Sequence, residues 1–239
     1  MAAFPLMLPG TSRPPKLVVF DLDHTLIACD ATILWTEFLY EKKIVTDPIW
    51  RQYDRDMVKS YAKGVLDIRD FCRKHAGAFR SIPEEKLHAL AQEFAKKKIA
   101  PLIFPDGKKW VKNALQANIP ACVLSASAAF IVKPIAKLFG LTDAMGIELA
   151  FKDGFCTGEI VGIPTFQEGK VERLSQRLTE AGIGFEDVLF FTDSRNDLPL
   201  AERAGYTVCV NPDAVLESAA RKNGWKVAEW KLSLRTQMT

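Results

Sequence analysis

The chain has 239 residues, with Lys+Arg 32 against Asp+Glu 29 for a formal charge of +3, and it is 48% hydrophobic and 26% charged. These proportions exclude a disordered, collagen-like or low-complexity chain. A surplus of +3 is too small for the electrostatic footprint of a dedicated nucleic-acid binder. No apolar run approaches the ~18–20 residues that a membrane helix needs. The start MAAFPLMLPGTSRPPK lacks the basic opening of a signal peptide. The cysteines (Cys29, Cys72, Cys122, Cys156, Cys209) are odd in number, widely spaced and free of C-x-x-C pairs. That pattern fits reduced thiols and a cytoplasmic location, with no nucleic-acid or membrane partner expected.

In chain order, residues 1–16 are Pro-rich and read as a flexible lead-in. The run LVVFDLD (17–23) is apolar and β-branched, then ends abruptly in acids, as a buried parallel strand does where its C-terminal end opens into a site. Residues 31–103 hold no strand pattern and read as amphipathic helices at about 32–43, 48–63, 67–76 and 84–98, punctuated by Pro83 and Pro101. This block carries a net +4 while the rest carries −1. Its charge suits anionic substrates, or simply solvated helix faces.

Further strands are expected at Ile119–Ser127, Val188–Asp193 and Tyr206–Val210, and a hairpin over 146–162 turning at Lys152-Asp153-Gly154. Helical patterns fall at about 106–118, 128–139, 168–182, 195–204 and 213–223, the last introduced by Asn211-Pro212-Asp213. Alternation of this kind predicts an α/β fold, a Rossmann-like parallel sheet covered on both faces. The expected organisation is a core of 17–30 and 104–239, interrupted by a helical cap of 31–103 standing over the strand ends. Trp225 and Trp230 are expected to pack on the core.

Chemistry concentrates at the strand ends. Asp21 and Asp23 close the first strand in Asp21-Leu22-Asp23-His24-Thr25. Carboxylates held this close repel one another, which a divalent cation relieves, and oxygen-rich ligation suits Mg²⁺. The strand at 188–193 also ends in acids, in Thr192-Asp193-Ser194-Arg195-Asn196-Asp197. In a parallel sheet both ends share one edge, so Asp193 can meet Asp21 and Asp23 at one metal ion. Ser125 and Ser127 lie where a strand runs into a helix start, suited to a phosphate oxygen or to plain capping. Lys170, in Gln167-Glu168-Gly169-Lys170-Val171, would supply the fixed cation that phosphoryl transfer needs.

The order of these motifs (D-x-D-x-T, a strand-end Ser, a Lys, then D-x-x-N-D) resembles the haloacid dehalogenase superfamily in its phosphatase branch, from about 17 to 213. A helical block after the first strand resembles the phosphoserine-phosphatase-like group. DLDHTLIACDATILWTEFL, SASAAFIVKPIAKLFG and TDSRNDLPL are similar to its bacterial histidinol-phosphatase-like members.

The resemblance implies Asp21 as nucleophile, and Asp23 as general acid/base whose backbone carbonyl reaches Mg²⁺. It implies Ser127 (preferred to Ser125), Ala128 and Lys170 on the phosphate, Asp193 as metal ligand, and Asn196 and Asp197 completing the loop. Asp30 falls where phosphoserine enzymes place the acid that reads the substrate amine, and it also suits an N-cap. Their carboxylate-binding Arg falls on His75, beside Arg73 and Lys74, and His24 stands where relatives carry Gly, Asn or Ser. The implied activity is Mg²⁺-dependent hydrolysis of a small phosphate monoester through an aspartyl phosphate, such as histidinol phosphate, by a monomer or homodimer. Alternatives are a phosphotransferase to an alcohol, a phosphoserine phosphatase, or a silent binding module.

Overall fold

In a computed structural model the described residues are 13–233. The chain runs from β1 (Leu17–Phe20) into α1 (Ala31–Glu41), α2 (Ile49–Lys63), α3 (Ile68–His75) and α4 (Glu84–Phe94). It returns through α5 (Pro105–Gln116) to β2 (Ala121–Ala128), α6 (Ala129–Lys137) and β3 (Ala144–Ile147). The hairpin β4 (Leu149–Lys152) and β5 (Phe155–Ile160) precedes α7 (Glu168–Ala181) and β6 (Val188–Thr192). Then come α8 (Leu198–Ala201), β7 (Tyr206–Val210), α9 (Ala214–Asn223) and β8 (Lys226–Ala228).

The main sheet is parallel throughout, in the order β3-β2-β1-β6-β7-β8. β1 is flanked by β2 and β6, so connections leave it in both directions. Its C-terminal end is the switch point at which such folds form crevices. Every residue of β1 is buried because both faces of the sheet are covered. Val18 and Phe20 face one apolar cluster, Leu17 and Val19 the other. The second cluster holds Leu174 and Leu178 of α7.

The first extends without a break into the helices after β1. Trp35 of α1 lies 5.4 Å from the Phe94 ring and 5.5 Å from the Phe130 ring. The sheet face and the helical block therefore share one core.

Local chemistry sets the element ends. Asp67 caps α3 through the Arg69 and Asp70 N–H groups, and Asp213 caps α9 through those of Val215 and Leu216. The β4–β5 turn uses Asp153 at φ +51° and Gly154 at φ +79°, as a tight hairpin requires.

Two strands escape the sequence pattern. β3 contains Gly146, which reads as a breaker. There a Cβ would meet the Ser127 carbonyl oxygen at 2.8 Å, so glycine is what lets β3 close on β2. β8 is a short, largely exposed edge strand with no apolar run. The hairpin spans 149–160 rather than 146–162, because Gly146 and Ile147 belong to β3. The helix expected at 195–204 is a 3₁₀ turn (Arg195–Asp197) followed by α8 alone. The π-turn Ala95–Ile99 ends α4 before the expected 98.

Most of the expected lead-in lies outside the described residues. Within it, Arg13 and Lys16 pair with Asp187 at 3.2 and 3.0 Å. The basic residues of the helical block, such as Lys59, Arg69, Arg73, Lys74 and Lys86, lie on exposed faces.

Trp230 packs as expected, 6% exposed, with its ring 5.9 Å from Phe191 and 6.3 Å from Phe104. Trp230→Ala is expected to cost about 3–5 kcal/mol of stability, as removal of a large buried aromatic does. Urea unfolding checks this, and a loss below ~1 kcal/mol would mean that the ring does not anchor the sheet.

Candidate active site

The C-terminal ends of β1, β2 and β6 open on one cleft of about 280 Å³. Asp21, Asp23, Asp30, Ser127, Asp193 and Asp213 line it from the sheet edge and the first turn of α1. Met57, Val58, Tyr61, Leu66, Ile68 and Phe71 form an apolar wall contributed by the helical block. The sequence-predicted acids are thus brought together.

Asp21 continues β1 by one residue, its N–H donating to the Phe191 carbonyl at 2.9 Å, which fixes its side chain at the floor. Lys170, fully buried on α7, donates to Asp21 Oδ1 at 2.7 Å and lies within 2.8 Å of both carboxylate oxygens of Asp197. Thr192 donates to Asp197 at 2.7 Å. Burial alone would lower the Lys170 pKa, but Asp197 and Asp21 outweigh it and hold the ammonium charged. Burial raises the Asp21 pKa to about 7 even though Lys170 pulls it down, with Asp197 and Asp23 pushing the same way as burial.

Asp193 directly follows β6, and its pKa is raised well above the carboxylate range by burial, then by Asp21 and Asp197. It accepts a hydrogen bond from Thr25 Oγ1 at 3.3 Å.

Asp23 points elsewhere. Its Oδ1 accepts the Ala31 N–H at 2.6 Å, and its Oδ2 accepts from Ser127 Oγ at 2.9 Å and Ser125 Oγ at 3.2 Å. Burial, with Asp30 adding to it, raises its pKa to about 6. The Asp23 side chain is tethered to β2 and α1, while its charge still acts on Asp21. Among the described residues, no three His, Cys, Asp or Glu side chains form a metal cage by themselves. Ser127 Oγ is also 3.2 Å from Thr32 Oγ1.

Asp30 does two things. It caps α1 through the Ile33 N–H at 3.0 Å, and it lines the cleft. Burial raises its pKa against the opposing pull of backbone N–H groups. His75 is buried behind this wall, 3.0 Å from Thr36 Oγ1 and 3.4 Å from Asp54 Oδ1, and is not among the cleft-lining residues. Arg73 and Lys74 are exposed and also outside the lining.

Ala128 is at the N-terminus of α6 and lines a small neighbouring cavity with Thr32 and His75. The Asn196 amide turns to the Tyr61 carbonyl at 2.9 Å. His24 has φ +56°, in the left-handed region that Gly and Asn enter most readily. Sequence reasoning did not single out Tyr61, Ser194 or Gln167. A tyrosine on the buried face of an amphipathic helix carries no signal of its own, and the other two stand beside residues that drew the attention.

A family model described as haloacid dehalogenase-like hydrolase matches residues 18–202. A histidinol-phosphatase of Neisseria meningitidis is 35% identical over 220 residues, covering 90% of this chain and 99% of the relative. A structure of a protein of unknown function from Bordetella pertussis superimposes with a TM-score of 0.80 at 32% identity, covering 88% of this chain and 96% of the other. A phosphoserine phosphatase structure superimposes with a TM-score of 0.67 at 22% identity, covering 93% and 97%, a likeness of fold. The chain belongs to the haloacid dehalogenase-like hydrolases and is a phosphoric monoester hydrolase.

Lys170→Met would leave Asp21 and Asp197 buried without their cation. It is expected to lower stability by about 3–5 kcal/mol, with Asp197→Asn in the same chain recovering part of the loss. Denaturant unfolding of both variants checks this. A Lys170→Met protein as stable as its parent would contradict the structural role of the ion pair.

Proposed function

We propose that the chain is a Mg²⁺-dependent phosphatase that forms an aspartyl phosphate on Asp21. The observation that carries the reading is the bond from Lys170 to both Asp21 and Asp197 at the floor of the cleft. It fixes one carboxylate as a pre-oriented nucleophile beside a permanent cation.

The donor set fits a hard divalent ion. Asp21 and Asp193 are mutually repelling carboxylates at one sheet edge, and Lys170 is committed to Asp21 and Asp197. A phosphate dianion entering an aspartate-lined cleft needs more positive charge than one ammonium supplies. Asp21, Asp193 and the Asp23 carbonyl would hold Mg²⁺, whose oxygen-only preferences they meet. When bound, the ion supplies charge neutralisation at the phosphoryl oxygens.

Asp21 Oδ attacks phosphorus in line. The P–O bond to the leaving alcohol breaks as the bond to Asp21 forms, with Ser127 holding a phosphoryl oxygen and the Lys170 ammonium fixing Asp21 from behind. Asp23 gives its proton to the departing alkoxide, a role that its raised pKa of about 6 favours. It then takes a proton from the water that cleaves the aspartyl phosphate, which returns Asp21 and releases phosphate. The helical block 31–103 acts as the cap, its apolar wall excluding bulk water from the bond-breaking step.

For the substrate we favour an amino-alcohol phosphate. Asp30 offers the cleft a carboxylate, whereas among the described residues no Lys or Arg lines it to receive a substrate carboxylate, and His75 is committed behind the wall. That combination disfavours phosphoserine. The Neisseria relative is named for such an ester, histidinol phosphate.

Asp21→Asn is expected to lower phosphate release by ~10⁴-fold or more in a folded protein. Chelation should abolish release from the parent, and added Mg²⁺ restore it. Retained turnover in the variant would remove Asp21 as nucleophile, and full activity without metal would remove the ion. Asp30→Ala is expected to raise KM for histidinol phosphate by ~10- to 100-fold, with a smaller effect on an aryl phosphate lacking an amine. Equal effects on both would leave Asp30 as the cap of α1 only.

A further inference from the structure

Gln167 occupies a backbone conformation suited to glycine. Its φ of +48° and ψ of −124° lie where residues with a Cβ rarely go. Such strain persists only where the surroundings over-determine it. The turn around it is held tightly: at Gly169 a Cβ would meet the Pro164 carbonyl oxygen at 1.9 Å. The Lys170 N–H donates to the Gln167 carbonyl at 3.0 Å, so this residue sets the entry into the helix carrying the catalytic lysine.

Its side chain is spent on the helical block. Gln167 Nε2 donates to the Gly64 carbonyl at 3.1 Å and to Asn196 Oδ1 at 3.1 Å. Asn196 Nδ2 in turn donates to the Tyr61 carbonyl at 2.9 Å. Tyr61 lies in the last turn of α2 and Gly64 is its left-handed C-cap. The Tyr61 carbonyl also accepts the Gly64 N–H at 2.9 Å, and carbonyls at this end carry the negative pole of the helix, so further amide donors are well matched to them.

The Tyr61 ring lies 5.7 Å from Phe166, and Tyr61 and Ser194 line the same cleft. The core loops at 166–167 and 194–196 therefore grip the end of α2 from two sides. The same stretch contributes Met57, Val58, Tyr61, Ala62 and Leu66 to the cleft wall.

We propose that Gln167 is a positioning residue whose carboxamide locks the C-terminal end of α2 onto the loop leading into Lys170. The apolar wall and the Asp21–Lys170 pair are thereby set together. Glycine would relieve the backbone but would lose both donors. The inference rests on the reading of Asp21 and Lys170 as reacting groups, and not on any particular substrate.

Two variants separate the lock from a merely strained turn. Gln167→Gly removes strain and carboxamide together, while Gln167→Glu keeps the size and the strain but cannot donate from its carboxylate. In the full-length protein, amide hydrogen exchange across 57–66 is expected to accelerate ~5- to 30-fold in both, the range for one or two lost hydrogen bonds. Relief of the backbone strain should offset part of the loss in Gln167→Gly, whose unfolding midpoint is expected to fall less than that of Gln167→Glu. KM for histidinol phosphate should rise by a similar factor, with kcat on p-nitrophenyl phosphate changing less.

Exchange needs no turnover, so a parent that releases no phosphate still tests the lock while separately overturning the reaction assigned to Asp21. Unchanged exchange over 57–66 in both variants would overturn the lock. Faster exchange with unaltered kinetic constants in an active parent would overturn its positioning role.

Discussion

Negative charge buried at one sheet edge is the constraint from which the rest of the site follows. The ends of β1 and β6 bring Asp21, Asp193 and Asp197 together in a region largely shut off from water. Carboxylates in such surroundings either neutralise or acquire cations. Lys170 answers for two of them and is buried in doing so, which is why a lysine in the first turn of a helix has no exposed surface. The Asp193 carboxylate accepts a long hydrogen bond from Thr25 at 3.3 Å. The pairing is selective: Lys170 holds Asp21 and Asp197 in place, and the remaining negative charge is what the proposed metal ion would neutralise.

The second feature is the division of labour between the two aspartates of the first motif. Asp21 faces the cation, whereas Asp23 is tied to Ser125, Ser127 and the start of α1. That tether gives the proposed acid a fixed position. It also links β2 and the first helix of the block to the reacting edge. Together with the grip of Gln167 and Asn196 on α2, it couples the sheet and the helices through polar contacts at the cleft, in addition to the apolar core that they share.

What the sequence disclosed follows from the same physics. Strands buried on both faces read as unbroken apolar runs, and the acids that end them stand out against that background. Asp21, Asp23 and Asp193 were therefore legible, and so was the parallel sheet. β3 was not, because its glycine serves close packing against β2, and β8 was not, because an exposed edge strand needs no apolar pattern. Asp30 caps α1 as one of its readings expects, and it also lines the cleft because the first turn of α1 opens there; its contact with a substrate amine is proposed. His75 could be placed near the site by counting, but its engagement with Thr36 and Asp54 depends on how α2 and α3 pack. Gln167 stayed hidden because neither a positive φ nor a contact with Gly64, 103 positions away, leaves a mark in residue types.

The account turns on a covalent bond between phosphorus and Asp21. The most direct measurement is to quench the enzyme in acid during turnover of a phosphate ester with Mg²⁺ present, reduce it with borohydride, and locate the product by peptide mass spectrometry. An aspartyl phosphate is converted to homoserine, so the account predicts homoserine at position 21. Rapid phosphate release with position 21 unmodified, or with the label at another carboxylate, would contradict it.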